Sequence, residues 1–289
     1  MKNCYGDVVL VTGASSGIGK ATAKKLLELG FIVYGTSRNP SLNNEGIKML
    51  KMDINDEESI SSAVDSIISE HGHISILINC AGNGIAGALE DMTLNEISYQ
   101  MQTNFFGTLN VIRAVLPYMR ENGKGLIVNT GSVAGDIAIP YQSIYSASKA
   151  ALTSVTQSLR LEVKSFGIKC SIIQPGDTKT GFTKSRKFIK NIYTSAYKTE
   201  AERAIYSMVR DELNGKPPET VSNTIIKIIK KRNPRAVYTV CFEYKLLVFL
   251  KAILPNSVLE FVLNRMYLTK PLPKDAVWPF DIEQKKVNK

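Results

Sequence analysis

Residues 12–19 read Thr-Gly-Ala-Ser-Ser-Gly-Ile-Gly, and what stands on either side of them limits how the chain can fold. Before the glycines, residues 7–11 (Asp-Val-Val-Leu-Val) form an apolar run with the length and branching of a buried strand. After them, residues 20–29 read as a helix stopped by Gly30. A strand, a glycine-rich turn and a helix make the first half of a dinucleotide-binding unit. Gly13, Gly17 and Gly19 let the backbone approach a pyrophosphate, with Ser15, Ser16 and Ile18 completing the turn. The unpaired N–H groups of the helix N-terminus then favour the anion. The spacing is G-x-x-x-G-x-G rather than G-x-G-x-x-G, so the pattern is specific only through its frame; the alternative is a plain tight turn.

The same alternation continues to about residue 175. Strands are expected at 32–36, 47–52, 74–79, 125–130 and 169–173, and helices at 59–69, 95–119 and 145–166. Repeated βαβ units call for a parallel sheet with helices on both faces. Residues 176–200 lose the period and mix basic residues with Phe182, Phe188, Tyr193 and Tyr197, which reads as a lid or binding loop. A helix at 221–231 and a seventh strand at 236–240 follow. The expectation is one α/β domain, a doubly wound parallel sheet of about seven strands, with residues 1–240 as nucleotide-binding and catalytic body. Residues 241–289 form its C-terminal apolar helical extension.

Several classes drop out. Cys4, Cys80, Cys170 and Cys241 are scattered with no C-x-x-C, which argues for reduced thiols in a cytoplasmic setting and against a structural metal. His71 and His73 fall where a helix ends and are expected at the surface. No apolar signal core precedes the first strand, so no secretory leader is expected. The apolar run at 246–250 is interrupted nearby by Lys245, Lys251, Pro255 and Glu260, too broken to span a bilayer. Between residues 179 and 235 stand fourteen Lys/Arg against five Asp/Glu, a solvated face or an anion-attracting surface. Nothing resembles a nucleic-acid recognition module.

In an open parallel sheet ligands collect outside the carboxyl ends of the strands. After the second strand come Ser37 and Arg38, where a free ribose 2′-OH would call for an acid. A guanidinium suits a 2′-phosphate, so NADP(H) is expected over NAD(H). Asp53 and Ile54 follow the third strand. Asn79, Cys80, Ala81 and Gly82 follow the fourth, small enough for a nucleoside to lie close to the backbone. Thr130-Gly131-Ser132 follow the fifth, and Asn104 falls inside the preceding long helix. Tyr145 and Lys149 share a helix face at i, i+4, where an ammonium beside a phenol favours the phenolate and lowers its pKa. By itself the pair means little, because chance would supply about one Tyr-x-x-x-Lys in a chain of this composition.

The ordered set is informative: glycine turn after strand one, Asn-x-Ala-Gly after strand four, a serine after strand five, then Tyr-x-x-x-Lys. Over roughly residues 5–240 it resembles the short-chain dehydrogenase/reductase family, which implies a single-domain Rossmann fold. The resemblance gives Tyr145 the role of general acid/base and Ser132 that of hydrogen-bonding the substrate oxygen. Lys149 would hold the nicotinamide ribose and lower the tyrosine pKa, and Asn104 would position a water in the proton relay. Pro175 and Gly176, with Thr178 or Thr180, would flank the nicotinamide. Cys80 departs from the usual Asn-Asn-Ala-Gly without removing a catalytic group. A dimer or tetramer through the helices at 95–119 and 145–166 is also implied.

The apolar extension and the aromatic-bearing insert fit a bulky apolar substrate. Within the resemblance a hydroxysteroid or related lipid leads, ahead of a retinoid or long-chain acyl ketone. A 3-oxoacyl thioester reductase that docks an acidic carrier, and a non-catalytic NADP(H) sensor, are the alternatives. The extension packs on the core, caps the pocket or touches lipid; peripheral membrane contact is not expected.

Overall fold

The computed structural model describes residues 3–40, 46–269 and 271–272. Its elements run β1 (Val8–Thr12), α1 (Gly17–Glu28), β2 (Ile32–Ser37), β3 (Lys48–Lys51), α2 (Glu57–His71), β4 (Ile76–Asn79) and β5 (Ile85–Ala86). Then come α3 (Leu94–Met101), a π turn (Gln102–Phe106), α4 (Gly107–Glu121), β6 (Gly125–Thr130), α5 (Ser143–Glu162) and β7 (Ile168–Gln174). The chain continues through α6 (Phe182–Ser185), β8 (Lys187–Phe188), α7 (Lys198–Leu213), α8 (Pro218–Ile229) and β9 (Val237–Thr239). It closes with α9 (Phe242–Ile253) and α10 (Asn256–Tyr267).

Seven strands form one parallel sheet in the order β3-β2-β1-β4-β6-β7-β9. The order reverses at β1, so the carboxyl ends of β1 and β4 open a crevice there. The central strands β1, β4 and β6 are apolar up to their carboxyl ends because both faces are covered, whereas the edge strand β3 exposes Lys48 and Lys51. Val8, Leu10, Leu77 and Ile127 point into a core closed by α2, α4 and α5, while Val9, Val11, Ile76, Ile78 and Val128 point into one closed by α1 and α8. Local signals fix the helix ends. Asp56 caps α2 by accepting from Glu58 and Ser59 N–H, and Gly72 ends it at φ 73°. Thr93 and Glu96 close a capping box on α3.

Two expectations change. The helix expected at 95–119 is two helices joined by the π turn that carries Asn104. The insert after residue 176 is ordered by a second small sheet, in which Ile85 and Ala86 pair in parallel with Lys187 and Phe188. Beneath it, Ile85, Met92, Ile189, Ile192, Ala204 and Met208 form a third apolar core, which holds α7. The extension is the helical pair α9–α10; its residue 270 and residues 273–289 lie outside the described residues. Its outer face leaves Phe242, Phe249, Ile253 and Phe261 exposed. Among the described residues no helix is long and apolar enough to cross a membrane.

Candidate active site

The turn between β1 and α1 is shaped by contacts only glycine permits. Gly13 and Gly17 lie at φ 67° and 53°. A Cβ at Gly19 would stand 2.3 Å from the Gly13 carbonyl oxygen, and one at Gly13 2.9 Å from Ala81. Thr12 ties this turn to the next strand end, its Oγ1 accepting from Cys80 N at 3.1 Å and Ala81 N at 3.2 Å. The result is a cleft of about 310 Å³ walled by Gly13, Ser15, Ser16, Gly17, Ile18 and Gly19, by Ser37, Arg38, Asp53 and Ile54, and by Ala81, Gly82 and Thr180.

These residues fit the nucleotide expected of them. The glycine cradle has no room for side chains, which leaves it open to a pyrophosphate. Ser37 Oγ and Asn55 Oδ1, both on residues of the cleft wall, are buried without a partner among the described residues. Arg38 is exposed at the cleft edge and interacts with the Tyr99 hydroxyl. Asn79 does not line the cleft: it is buried at the end of β4, its Nδ2 donating to Asn129 Oδ1 at 2.9 Å, which ties β4 to β6.

A second cavity, of about 200 Å³, shares Ile18, Cys80, Gly82, Asn83, Thr180 and Phe182 with the first. Ser132, Tyr145, Lys149, Pro175, Gly176 and Thr178 all line it. Ser132 follows β6, and its Oγ accepts from Ala134 N at 3.1 Å. Tyr145 sits in the first turn of α5, its ring 5.7 Å from that of Phe182. Lys149 is one helical turn on and buried, its Nζ donating to the Thr130 carbonyl at 2.8 Å and standing 5.9 Å from the Tyr145 ring centre. Burial depresses its pKa to about 8, against a weaker upward pull from Cys80.

The tyrosine pKa corrects the expectation. Burial holds the Tyr145 phenol above its ordinary value, and the facing Ser132 hydroxyl draws it back only in part. Lys149 is turned toward Thr130 rather than the phenol oxygen, so the i, i+4 spacing brings the pair together without a direct bond. Cys80, the departure from the usual motif, accepts from Thr130 Oγ1 at 3.3 Å, and burial pushes its thiol up to about 11. It is an unreactive wall residue.

Asn104 does not line either cavity. Its Nδ2 donates to Asn83 O at 2.9 Å and Ser148 Oγ at 3.2 Å, and its Oδ1 accepts from Asn83 N at 2.9 Å. It pins the loop after β4 to α5. Thr12, Asn83 and Tyr99 were not singled out by the sequence; a threonine ending a strand just before the glycines was the available signal for Thr12. Leu247 of α9 and Leu259, Val262, Leu263 and Met266 of α10 add an apolar wall to the cavity that holds Tyr145. The extension therefore caps the pocket.

A family model described as short chain dehydrogenase matches residues 7–188. A 3-ketodihydrosphingosine reductase of Bacteroides thetaiotaomicron is 43% identical over 90% of this chain and 98% of its own. A probable short-chain type dehydrogenase/reductase of Helicobacter pylori is 32% identical over 86% of this chain and 94% of its own. Among solved structures, a short-chain dehydrogenase from Streptomyces avermitilis superposes with a TM-score of 0.76 at 28% identity, covering 89% of this chain and 96% of that one.

Proposed function

The chain belongs to the short-chain dehydrogenase/reductase family, oxidoreductases that bind a nicotinamide cofactor and a small-molecule substrate, and we propose that it reduces a long-chain lipid ketone with NADPH. The observation that carries this reading is the α9–α10 cap, which gives an apolar wall to the cavity that holds Ser132 and Tyr145. The near full-length likeness to a protein named as a 3-ketodihydrosphingosine reductase favours an open-chain keto lipid over the hydroxysteroid.

When bound, the dihydronicotinamide supplies a hydride. Gly13 to Gly19 would hold its pyrophosphate, and Pro175, Gly176 and Thr178 would flank the ring. Tyr145, neutral at pH 7, is in the protonation state that reduction needs: it gives its proton to the carbonyl oxygen as the alcohol forms. The Ser132 hydroxyl donates to the same oxygen and orients it. Lys149 as an ammonium stabilises the phenolate left behind. The Asn104 amide is engaged with Asn83 and Ser148, so its part is to hold the loop after β4 against α5 from the π turn, a geometry often found at functional sites.

Loss of nicotinamide absorbance with purified protein and NADPH tests the reading. Turnover of 3-ketodihydrosphingosine is expected; turnover confined to hydroxysteroids or 3-oxoacyl thioesters would overturn it. No turnover with any ketone would leave the sensor reading. Cofactor choice rests on Arg38 and Ser37. Arg38→Asp places a carboxylate against the 2′-phosphate and is expected to cost roughly 100-fold or more in kcat/KM with NADPH, with little loss with NADH. An unchanged NADPH/NADH ratio would show that Arg38 does not read the phosphate.

A further inference from the structure

The cavity beside Tyr145 carries two carboxylates in its lining, Asp177 and Glu212. The charge of Glu212 is answered by the protein: the buried Arg186 guanidinium pairs with it, and Thr183 Oγ1 donates to it at 2.7 Å. Asp177 is different. Its Oδ2 accepts from the Tyr244 hydroxyl at 2.7 Å, and the same hydroxyl accepts from Asp177 N at 3.0 Å. Tyr244 brings no charge. Among the described residues no Lys, Arg or His makes an ion pair with Asp177. Burial raises its carboxyl above the ordinary value; the Tyr244 hydrogen bond opposes this, Asp211 and Glu212 add repulsion, and the Arg186 guanidinium, already paired with Glu212, gives only a weaker attraction. A carboxylate in such a place costs free energy until a cation answers it.

Position says where that cation comes from. Asp177 directly follows Gly176, and it shares the cavity with Ser132 and Tyr145, so it stands beside the place where the substrate carbonyl is held. Its charge is near enough to act on the Tyr145 phenol. In a ketodihydrosphingosine the amine sits on the carbon next to the ketone. With the carbonyl at Tyr145 and the alkyl chain along α10, the ammonium has to lie against the cavity wall within a few ångströms of the reacting carbon. Resting on the reading of a keto-lipid reductase, we propose that Asp177 receives the substrate ammonium and sets a preference for 2-amino ketones over ketones of equal length that lack the amine. Tyr244 positions the carboxylate by holding one of its oxygens, which leaves the other for the ligand.

The structural alternative is that Asp177 only fastens α9 to the loop after β7 through Tyr244. Two substrates and two variants separate these roles: 3-ketodihydrosphingosine and 1-hydroxyoctadecan-3-one, with Asp177→Asn and Tyr244→Phe. Wild type is expected to prefer the amino ketone in kcat/KM. Asp177→Asn keeps an oxygen for Tyr244 but loses the charge, and is expected to shrink that preference by roughly 10- to 100-fold, mainly through KM. Tyr244→Phe breaks the fastening but keeps the charge, so the preference should persist. In wild type, KM for the amino ketone alone should rise on acidification as Asp177 takes up its proton. Wild type that reduces both ketones equally well, or an Asp177→Asn loss of equal size on both, overturns this assignment and leaves the keto-lipid reading standing. Wild type that reduces neither overturns the reading of function itself.

Discussion

Tyr145→Phe is expected to bind NADPH as the wild type does and to reduce ketones roughly 10²- to 10⁴-fold more slowly, the range that a positioned proton donor contributes. The ring keeps its place: Phe182 lies 5.7 Å away, and the Lys149–Thr130 bond of 2.8 Å does not involve the phenol oxygen. The glycine turn, Ser37 and Arg38 lie in the adjoining cleft and are untouched. Only the hydroxyl is removed, and with it the hydrogen bond to Ser132. Quenching of tryptophan or nucleotide fluorescence reads the affinity, and nicotinamide absorbance reads turnover. Full activity in the variant would show that some other group protonates the alkoxide. A joint loss of affinity and turnover would show that the phenol oxygen shapes the cleft, and the assignment of Tyr145 as an acid would fail.

That separation is possible because the site divides between parts that local sequence encodes and parts that only tertiary packing creates. The β1–turn–α1 unit is encoded within twenty or so residues. Strands such as Ile76–Asn79 and Gly125–Thr130 were legible because burial on both faces keeps each run apolar up to its carboxyl end. The π turn at Gln102–Phe106 was not, since one widened turn inside an apolar helix leaves no mark on the period. The ordered insert escaped for another reason. Its core joins Ile85 and Met92 to Ile189 and Ala204, residues about a hundred positions apart whose pairing no local signal announces. The inward turn of Asn79 was not legible because the motif gives residue types at a strand end but not which of them faces the interior. The sign of the Tyr145 shift was missed likewise: spacing gives proximity to Lys149, while burial and the direction of Nζ decide the pKa.

Lys149→Met is expected to cut turnover by roughly 10²-fold or more and yet leave the protein no less stable. Lys149 is 6% exposed, and burial lowers its pKa from 10.5 to about 8. Below about pH 8 it is charged in both folded and unfolded chains, and the folded state bears the full cost of the buried charge. Between about pH 8 and 10.5 the unfolded chain keeps a proton that the folded chain has released, so stability rises with pH through that window. The depression corresponds to roughly 3 kcal/mol at neutral pH. Methionine of similar length removes this cost but leaves the Thr130 carbonyl without its donor, a loss of about 1–3 kcal/mol. The two nearly offset, with the balance at or above zero. Thermal melts at pH 7 and pH 10 read the outcome: the wild type gains relative to the variant at the higher pH. Activity is expected to run opposite to this. In its proposed role the Lys149 ammonium holds the phenolate of Tyr145, so kcat/KM in the wild type should decline above about pH 8. In Lys149→Met it is low at every pH, by roughly 10²-fold or more. A variant that melts well below wild type at pH 7 would make Lys149 a structural residue. One that retains turnover would remove it from the chemistry.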